Sequence, residues 1–154
     1  MPISTQFIKE AADNCWQCLE NLSCLPTPSS QSFSPGSVMA LEIFFTRFCG
    51  PNWGKAGCPL SESEIQLRFG AYLGEVVRRS LSNGCQWYRD DLTEGICGLL
   101  LPSGIIIFPM EFIGKQTAAY QPGNLVKWCE AQAGLRSGFE ARNEAAFESA
   151  LGGG

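Results

Sequence analysis

The sequence predicts an α+β domain, in which N-terminal helices and a central helix pack on a small three-stranded antiparallel sheet and short helices follow. Helical periodicity fills the first half of the chain, and three β-branched or aromatic runs occupy residues 85–108. A chain of 154 residues, 45% of them hydrophobic, is long enough for one core. We expect a single domain over 1–134, with a Pro/Ser-rich linker at 26–36 and an Ala/Glu/Gly-rich tail at 135–154 that is a frayed helix or disordered.

The first two helices are predicted at 3–25 and 37–49. Apolar residues recur at three- to four-residue spacing in the first, and Pro26 is expected to end it. Its predicted buried positions are Phe7, Ala11, Cys15, Cys18 and Leu22. The second helix carries a bulky apolar face made of Leu41, Phe44, Phe45 and Phe48. We expect this face in the core; the alternative is contact with a partner in a larger assembly.

The third helix is predicted to begin at the capping box Ser61-x-x-Glu64 and to end near residue 81. Gly70 and Gly74 lie four residues apart on one of its faces. A glycine inside a helix costs about 1 kcal/mol relative to alanine, so the pair indicates close approach of another element. We expect this helix to press onto the sheet there, with Trp87 filling the adjacent space. The following residue, Glu75, is expected to pair with an arginine at 78 or 79 or to cap a backbone group.

The strands are predicted at 85–89, 96–101 and 105–108, with turns at 90–95 and 102–104. Pro109 is expected to end the third strand. Two short helices are predicted after it, at 110–120 and 124–133.

The composition excludes several classes of function. The net charge is −4 and the pI about 4.8, whereas a phosphate-backbone binder needs a basic face, so we expect no nucleic-acid partner. The chain has no histidine, which excludes Ser-His-Asp catalysis and histidine-ligated metals; we expect no metal and no cofactor. No apolar run reaches the roughly 18 residues of a membrane span, and the N-terminus does not resemble a signal peptide. These features predict a cytoplasmic protein with no membrane partner.

Eight cysteines need an explanation, and two of them form a Cys15-x-x-Cys18 pair. A thioredoxin-like site would stand at the start of a helix after a strand, whereas this pair lies inside a predicted helix. A zinc site would need two further ligands at regular spacing. The pattern therefore favours buried, inert thiols, with metal binding and redox chemistry as the alternatives.

Three segments resemble a family of small bacterial α+β domains of unknown function. They are the GxxxGE helix at 69–79, the GxxW strand at 84–87, and the strand that ends in proline before an Ile-x-Lys step at 101–115. The resemblance covers about residues 65–130. It implies the α+β fold and no particular activity, and the cysteine-rich N-terminal third departs from it.

The candidate binding residues lie at the predicted hairpin. Asp90, Asp91 and Glu94 occupy its turn beside Trp87 and Tyr88, an arrangement that would draw a basic partner to an aromatic contact. The alternative is an ordinary polar hairpin tip.

We predict that the protein is not an enzyme. The expected function is that of an immunity-type binding protein, which neutralises a toxin or a nucleic-acid enzyme by occluding it, with a cognate toxin as the partner. The alternatives are a structural or adaptor subunit of a larger bacterial assembly, or an enzyme that uses cysteine or carboxylate groups.

Overall fold

The computed structural model describes residues 5–27, 32–55, 57–81, 84–90 and 96–133. The described part of the chain contains five α-helices: α1 (Thr5–Asn21), α2 (Val38–Phe48), α3 (Glu62–Ser80), α4 (Pro109–Ala119) and α5 (Asn124–Ala133). It also contains three strands: β1 (Gln86–Asp90), β2 (Ile96–Leu100) and β3 (Ile106–Ile107). The predicted α+β class is confirmed, with a mostly helical domain and a small sheet. The predicted tail at 135–154 lies outside the described residues.

Helix α1 ends before Pro26 and buries a stripe that agrees only in part with the predicted one. Ser23 adopts a positive φ of 56°, and the Cys24 N–H donates to the Leu19 carbonyl at 2.9 Å, so the helix is closed by its own backbone. The helix packs along α3, and its buried positions are Ile8, Ala11, Ala12, Cys15 and Leu19. The prediction for Phe7 was wrong, since its side chain is 52% exposed.

The phenylalanine face of α2 lies in the core, as predicted. Leu41, Phe44 and Phe45 are fully buried, and Phe48 is 7% exposed. The rings of Phe44 and Phe45 both contact Phe69 of α3, at centroid distances of 4.5 and 5.6 Å. This face is therefore used inside the domain, which removes the observation that favoured an external partner for it.

The second half of the predicted linker is folded rather than extended. Residues Pro35–Ser37 form a 3-10 turn, and the Phe33 ring stacks on Tyr72 of α3 at 4.6 Å. The Phe33 N–H donates to the Tyr72 hydroxyl at 2.7 Å, and Tyr72 donates to Ser37 at 2.7 Å. Trp16 of α1 also stacks on Tyr72, at 5.7 Å. One tyrosine thus joins α1, α3 and this segment.

The two glycines of α3 face two different elements. A Cβ built at Gly74 would lie 2.3 Å from Cη2 of Trp87 on β1, so the predicted contact with this ring is confirmed. A Cβ at Gly70 would lie 2.6 Å from the Cα of Met110, so this glycine admits the backbone of α4 rather than the sheet. The predicted capping box is present, with Ser61 and Glu64 bonded reciprocally.

The three strands form an antiparallel sheet in the order β1-β2-β3. The register places Trp87, Leu99 and Ile107 side by side, and all three are buried on the inner face. Strand β3 is shorter than predicted, and the Gly104 N–H donates to the Leu101 carbonyl at 2.9 Å to close a tight turn before it. Pro109 is the first residue of α4, where its missing N–H costs nothing.

A buried carboxylate holds α5 in place. Glu42 of α2 is fully buried and accepts hydrogen bonds from the Tyr120 hydroxyl and, at 3.4 Å, from the Val126 N–H in the first turn of α5. Burial raises the pKa of Glu42, although these hydrogen bonds act in the opposite direction.

We predict that Gly70→Ala and Gly74→Ala both destabilise the protein. The added methyl groups overlap the Met110 backbone and the Trp87 ring, and overpacking of this kind costs about 1–3 kcal/mol against a helix-propensity gain of about 1. Urea denaturation should show a net loss of up to about 2 kcal/mol for each variant. Gly36→Ala is the control, since nothing lies within 4 Å of its built Cβ. Equal stability of all three variants would contradict the close approach.

We predict that Glu42→Gln changes the pH dependence of stability. The raised pKa means that the wild-type carboxyl favours the folded state while it is protonated, below its ordinary pKa of 4.5. That contribution is lost as the pH rises through the raised value. The stability of Glu42→Gln relative to the wild type should therefore increase from about pH 4 to about pH 7 in urea titrations. A pH-independent difference would contradict this assignment.

Candidate functional site

The structure places two of the four predicted binding residues, Tyr88 and Asp90, on strand β1. Tyr88 lies in the middle of β1 and is half-buried, and Asp90 is the last residue of that strand, paired with Ile96. Asp91 and Glu94 fall outside the described residues. Trp87 was also expected beside Tyr88 in an aromatic patch, but it is 1% exposed and belongs to the core.

Tyr88 belongs to an apolar surface on the side of the sheet opposite Trp87. Cross-strand pairing and alternation place Tyr88, Leu100, Ile106 and Phe108 on this side, which we call the outer sheet face. Gly98 lies at its centre, directly opposite Tyr88; a Cβ there would lie 2.6 Å from Cγ2 of Ile106. Because Gly98 has no side chain, Ile106 and Phe108 lie close over β2.

The outer sheet face is exposed at its edge. Ile106 is 39% exposed, and the neighbouring Ile105 is 61% exposed. Tyr88, Leu100 and Phe108 are half-buried. The two isoleucines are among the few large apolar side chains of the described residues that are well exposed. The sequence signal for this surface was the alternation of β1 and the apolar run at 105–108, which predicted a strand without indicating which of its side chains are exposed.

A second cluster fixes β1 to α3. The Glu75 side chain is 6% exposed, and its Oε2 accepts hydrogen bonds from Trp87 Nε1 at 3.0 Å and from Arg78 Nε at 2.5 Å. Arg78 Nη2 donates to the other carboxylate oxygen at 3.1 Å. The expected ion pair of Glu75 is thus confirmed, and the indole hydrogen bond is an addition that sequence spacing did not reveal.

The Glu75 carboxylate is held in its charged form. Burial opposes ionisation, but the hydrogen bonds from Arg78 and Trp87 and the charges of Arg78 and Arg79 outweigh it, so the pKa of Glu75 lies below its ordinary value. An ionised, fully engaged carboxylate is suited to holding a strand in place. It is poorly suited to proton transfer near neutral pH.

Arg79 lies at the end of a stack of aromatic rings beside this cluster. Its guanidinium carbon lies 3.9 Å from the centroid of Phe33, which in turn stacks on Tyr72. Its Nη2 lies 3.9 Å from Glu75 Oε1, beyond hydrogen-bond distance. The guanidinium is therefore positioned by ring contact and charge rather than by hydrogen bonds to Glu75.

A cavity of about 310 Å³ opens over the same side chains. Lys9 of α1 lines it together with both arginines, Glu75 and Trp87, and Cys85 and Gln86 complete the wall. We call this cavity the Glu75 pocket. The contribution of Lys9 could not be predicted, because it stands some 70 residues from Arg78 in the sequence and no motif links them.

The cysteines behave as thiols. The structure describes all eight and places no disulfide between any two of them. Cys15 and Cys18 lie inside α1, and burial raises the pKa of both thiols; it does the same for Cys85 in the Glu75 pocket. In the described ranges, no three Cys, Asp or Glu side chains are grouped so that they could hold a metal ion.

Comparison of the chain with protein-family models, curated proteins and solved structures finds no match. The resemblance to a small bacterial family therefore stays a prediction. None of the helices in the described ranges has the length and apolar character needed to cross a membrane.

We predict that Glu75→Gln lowers stability at neutral pH by about 1–3 kcal/mol, because Arg78 and Trp87 lose a charged acceptor. The lowered pKa means that the wild-type carboxylate stabilises the fold above its ordinary pKa of 4.5 and loses this effect as the pH falls through the lower value. The difference between variant and wild type should therefore shrink below about pH 4.5.

The matched control is Glu111→Gln, which removes an exposed carboxylate paired with Lys115 on α4. It should change the free energy of unfolding by at most about 0.5 kcal/mol. A Glu75→Gln effect as small as that, or one that does not vary with pH, would contradict the assigned role.

Proposed function

We propose that the protein is a binding protein that occludes a basic partner, as an immunity protein occludes a toxin or a nucleic-acid enzyme. The observation that carries the proposal is the outer sheet face. It exposes Ile106 on the same side of the sheet as Tyr88, and the β1-β2 hairpin that holds Tyr88 also carries Asp90, Asp91 and Glu94. Apolar and aromatic side chains bordered by charge are typical of the centre and rim of protein interfaces.

Charge favours a basic partner for this surface. The chain has a net charge of −4, and the sequence concentrates three carboxylates within five residues of the hairpin. Such a region accelerates association with a positively charged surface and repels an acidic one. Enzymes that act on nucleic acids present basic surfaces for the phosphate backbone, so they are the partner class that this charge fits.

The proposal also places the protein in the cytoplasm of a bacterium. The buried thiols of Cys15, Cys49 and Cys129 support a reducing compartment, where cysteines are kept as thiols. The bacterial origin rests on the resemblance of residues 65–130 to the small bacterial family.

The alternative functions have less support. The phenylalanine face that suggested an adaptor subunit is buried in the core. For an enzyme that uses cysteine and carboxylate groups, the Glu75 pocket offers a carboxylate engaged by Arg78 and a Cys85 thiol whose pKa burial raises. Neither group is activated for acid–base or nucleophilic chemistry at neutral pH.

Site-specific crosslinking tests the proposal. A photoreactive residue at position 106, in the exposed part of the outer sheet face, should capture a basic protein in the cells that express the chain. The same residue at Lys127, exposed on α5, should not capture it. The captured protein is then purified, and its activity should fall to baseline when the chain is added at equimolar concentration.

Two variants connect this inhibition to the surface. Ile106→Asp should weaken the complex about tenfold or more, and Asp90→Lys with Asp91→Lys should slow association and reduce its dependence on salt. Lys127→Asp is the control and should leave the affinity unchanged. A captured protein that is acidic, that remains active in the complex, or that binds Ile106→Asp as tightly as the wild type would contradict the proposal.

A further inference from the structure

The Glu75 pocket concentrates positive charge in an acidic protein. Lys9, Arg78 and Arg79 line it against the single carboxylate of Glu75, which leaves a local net charge of about +2 in a chain of net charge −4. The three cations come from two elements: Lys9 from α1, and the arginines from the last turn of α3.

The arginines are oriented but retain donors. Arg78 gives Nε–H and one Nη2–H to Glu75, which leaves three of the five N–H groups of its guanidinium. Arg79 is fixed over the Phe33 ring, and none of its N–H groups bonds to a described residue. Their side chains are 37% and 40% exposed, so the remaining donors are accessible. Glu75 and Phe33 thus position two guanidinium groups in advance.

The geometry points to a second binding site, for the phosphate group of a small phosphomonoester, in the Glu75 pocket. Planar guanidinium donors match the oxygens of a phosphate, and a lysine ammonium adds a third charge. A dianionic phosphate would balance the local charge of about +2. A monocarboxylate would neutralise only half of it.

The size and walls of the pocket favour an ester over the free ion. Its volume of about 310 Å³ lies at the lower end of the range for small-molecule sites. This volume is larger than a phosphate group alone requires. Trp87 and Cys85 supply apolar wall, and Gln86 supplies an exposed amide. These groups would contact a short polar carbon chain attached to the phosphate. The site involves none of the outer sheet face residues, so it stands or falls apart from the proposed function.

The experiment measures binding of inorganic phosphate and of glycerol 3-phosphate to the full chain at low ionic strength. Titration is followed by calorimetry and by the Trp87 indole N–H resonance, which reports the pocket through its bond to Glu75. We expect millimolar binding of inorganic phosphate and at least about threefold tighter binding of glycerol 3-phosphate. The Trp87 resonance should shift, while those of Trp53 and Trp128, which do not line the pocket, should not.

Matched variants separate the site from general charge. Lys9→Met and Lys127→Met each remove one exposed lysine from a helix, and only Lys9 lines the pocket. Lys9→Met should weaken glycerol 3-phosphate binding several-fold, and Arg79→Gln should weaken it about tenfold. Arg79→Gln also removes the contact with Phe33, so the urea midpoint of this variant is measured as well. If Arg79→Gln is unfolded, the test rests on Lys9→Met.

Three results would overturn the inference. They are no binding of either probe, equal weakening by Lys9→Met and Lys127→Met, or binding of glycerol 3-phosphate that is no tighter than that of inorganic phosphate. If one of these results is obtained while the chain still inhibits its captured partner, the proposed function is unaffected. If the chain binds glycerol 3-phosphate as expected but inhibits no partner, this inference is unaffected.

Discussion

Close packing against one face of α3 is the constraint on which the rest of the domain depends. At Gly74 the helix leaves room for the Trp87 ring, and at Gly70 for the backbone of α4. The Trp87 ring in turn reaches Glu75 with its indole N–H. Since β1 carries both Trp87 and Tyr88, the seating of one aromatic residue on α3 determines where the other lies on the outer sheet face. The hairpin is thus positioned from inside the core.

Two buried carboxylates complete the packing, and their surroundings shift their pKa values in opposite directions. Glu75 has an arginine and an indole as partners, and its pKa is lowered. Glu42 has a tyrosine hydroxyl and backbone N–H groups as partners, and burial raises its pKa. A cation within bonding distance thus outweighs the loss of hydration, whereas neutral donors do not. The same glutamate side chain serves as a permanent charge in one place and as a group that ionises with difficulty in the other.

Local sequence patterns predicted the helices and strands well, but they could not predict the contacts between segments that are distant in the sequence. The capping box at Ser61, the glycine pair of α3 and the bounds of α5 follow from short patterns whose physics is local. The buried face of α1 differs from the predicted one, with Ile8 buried in place of Phe7. Both side chains are apolar, so only the packing of α1 along α3 determines which of them is buried.

The candidate site shows the same limit. The pairing of Glu75 with Arg78 is a three-residue spacing on one helix and was predicted. The approach of Lys9 to that pair, and of Phe33 to Arg79, depends on how α1 and residues 32–37 fold back on α3. No spacing rule encodes such contacts. The exposure of Ile106 was missed because a β-branched run looks identical whether a helix covers it or not.

The shortness of β3 determines how the outer sheet face can be used. This edge strand has two residues, and it lies between Pro102 in the preceding turn and Pro109 at the start of α4. Proline has no N–H to give, so the β3 edge of the sheet offers almost no template on which another polypeptide could add as a further strand. Exposed isoleucines at such a margin carry little danger of fibrillar self-assembly. Any molecule that settles on them must do so through side-chain contact, which makes recognition there a matter of shape rather than of backbone pairing.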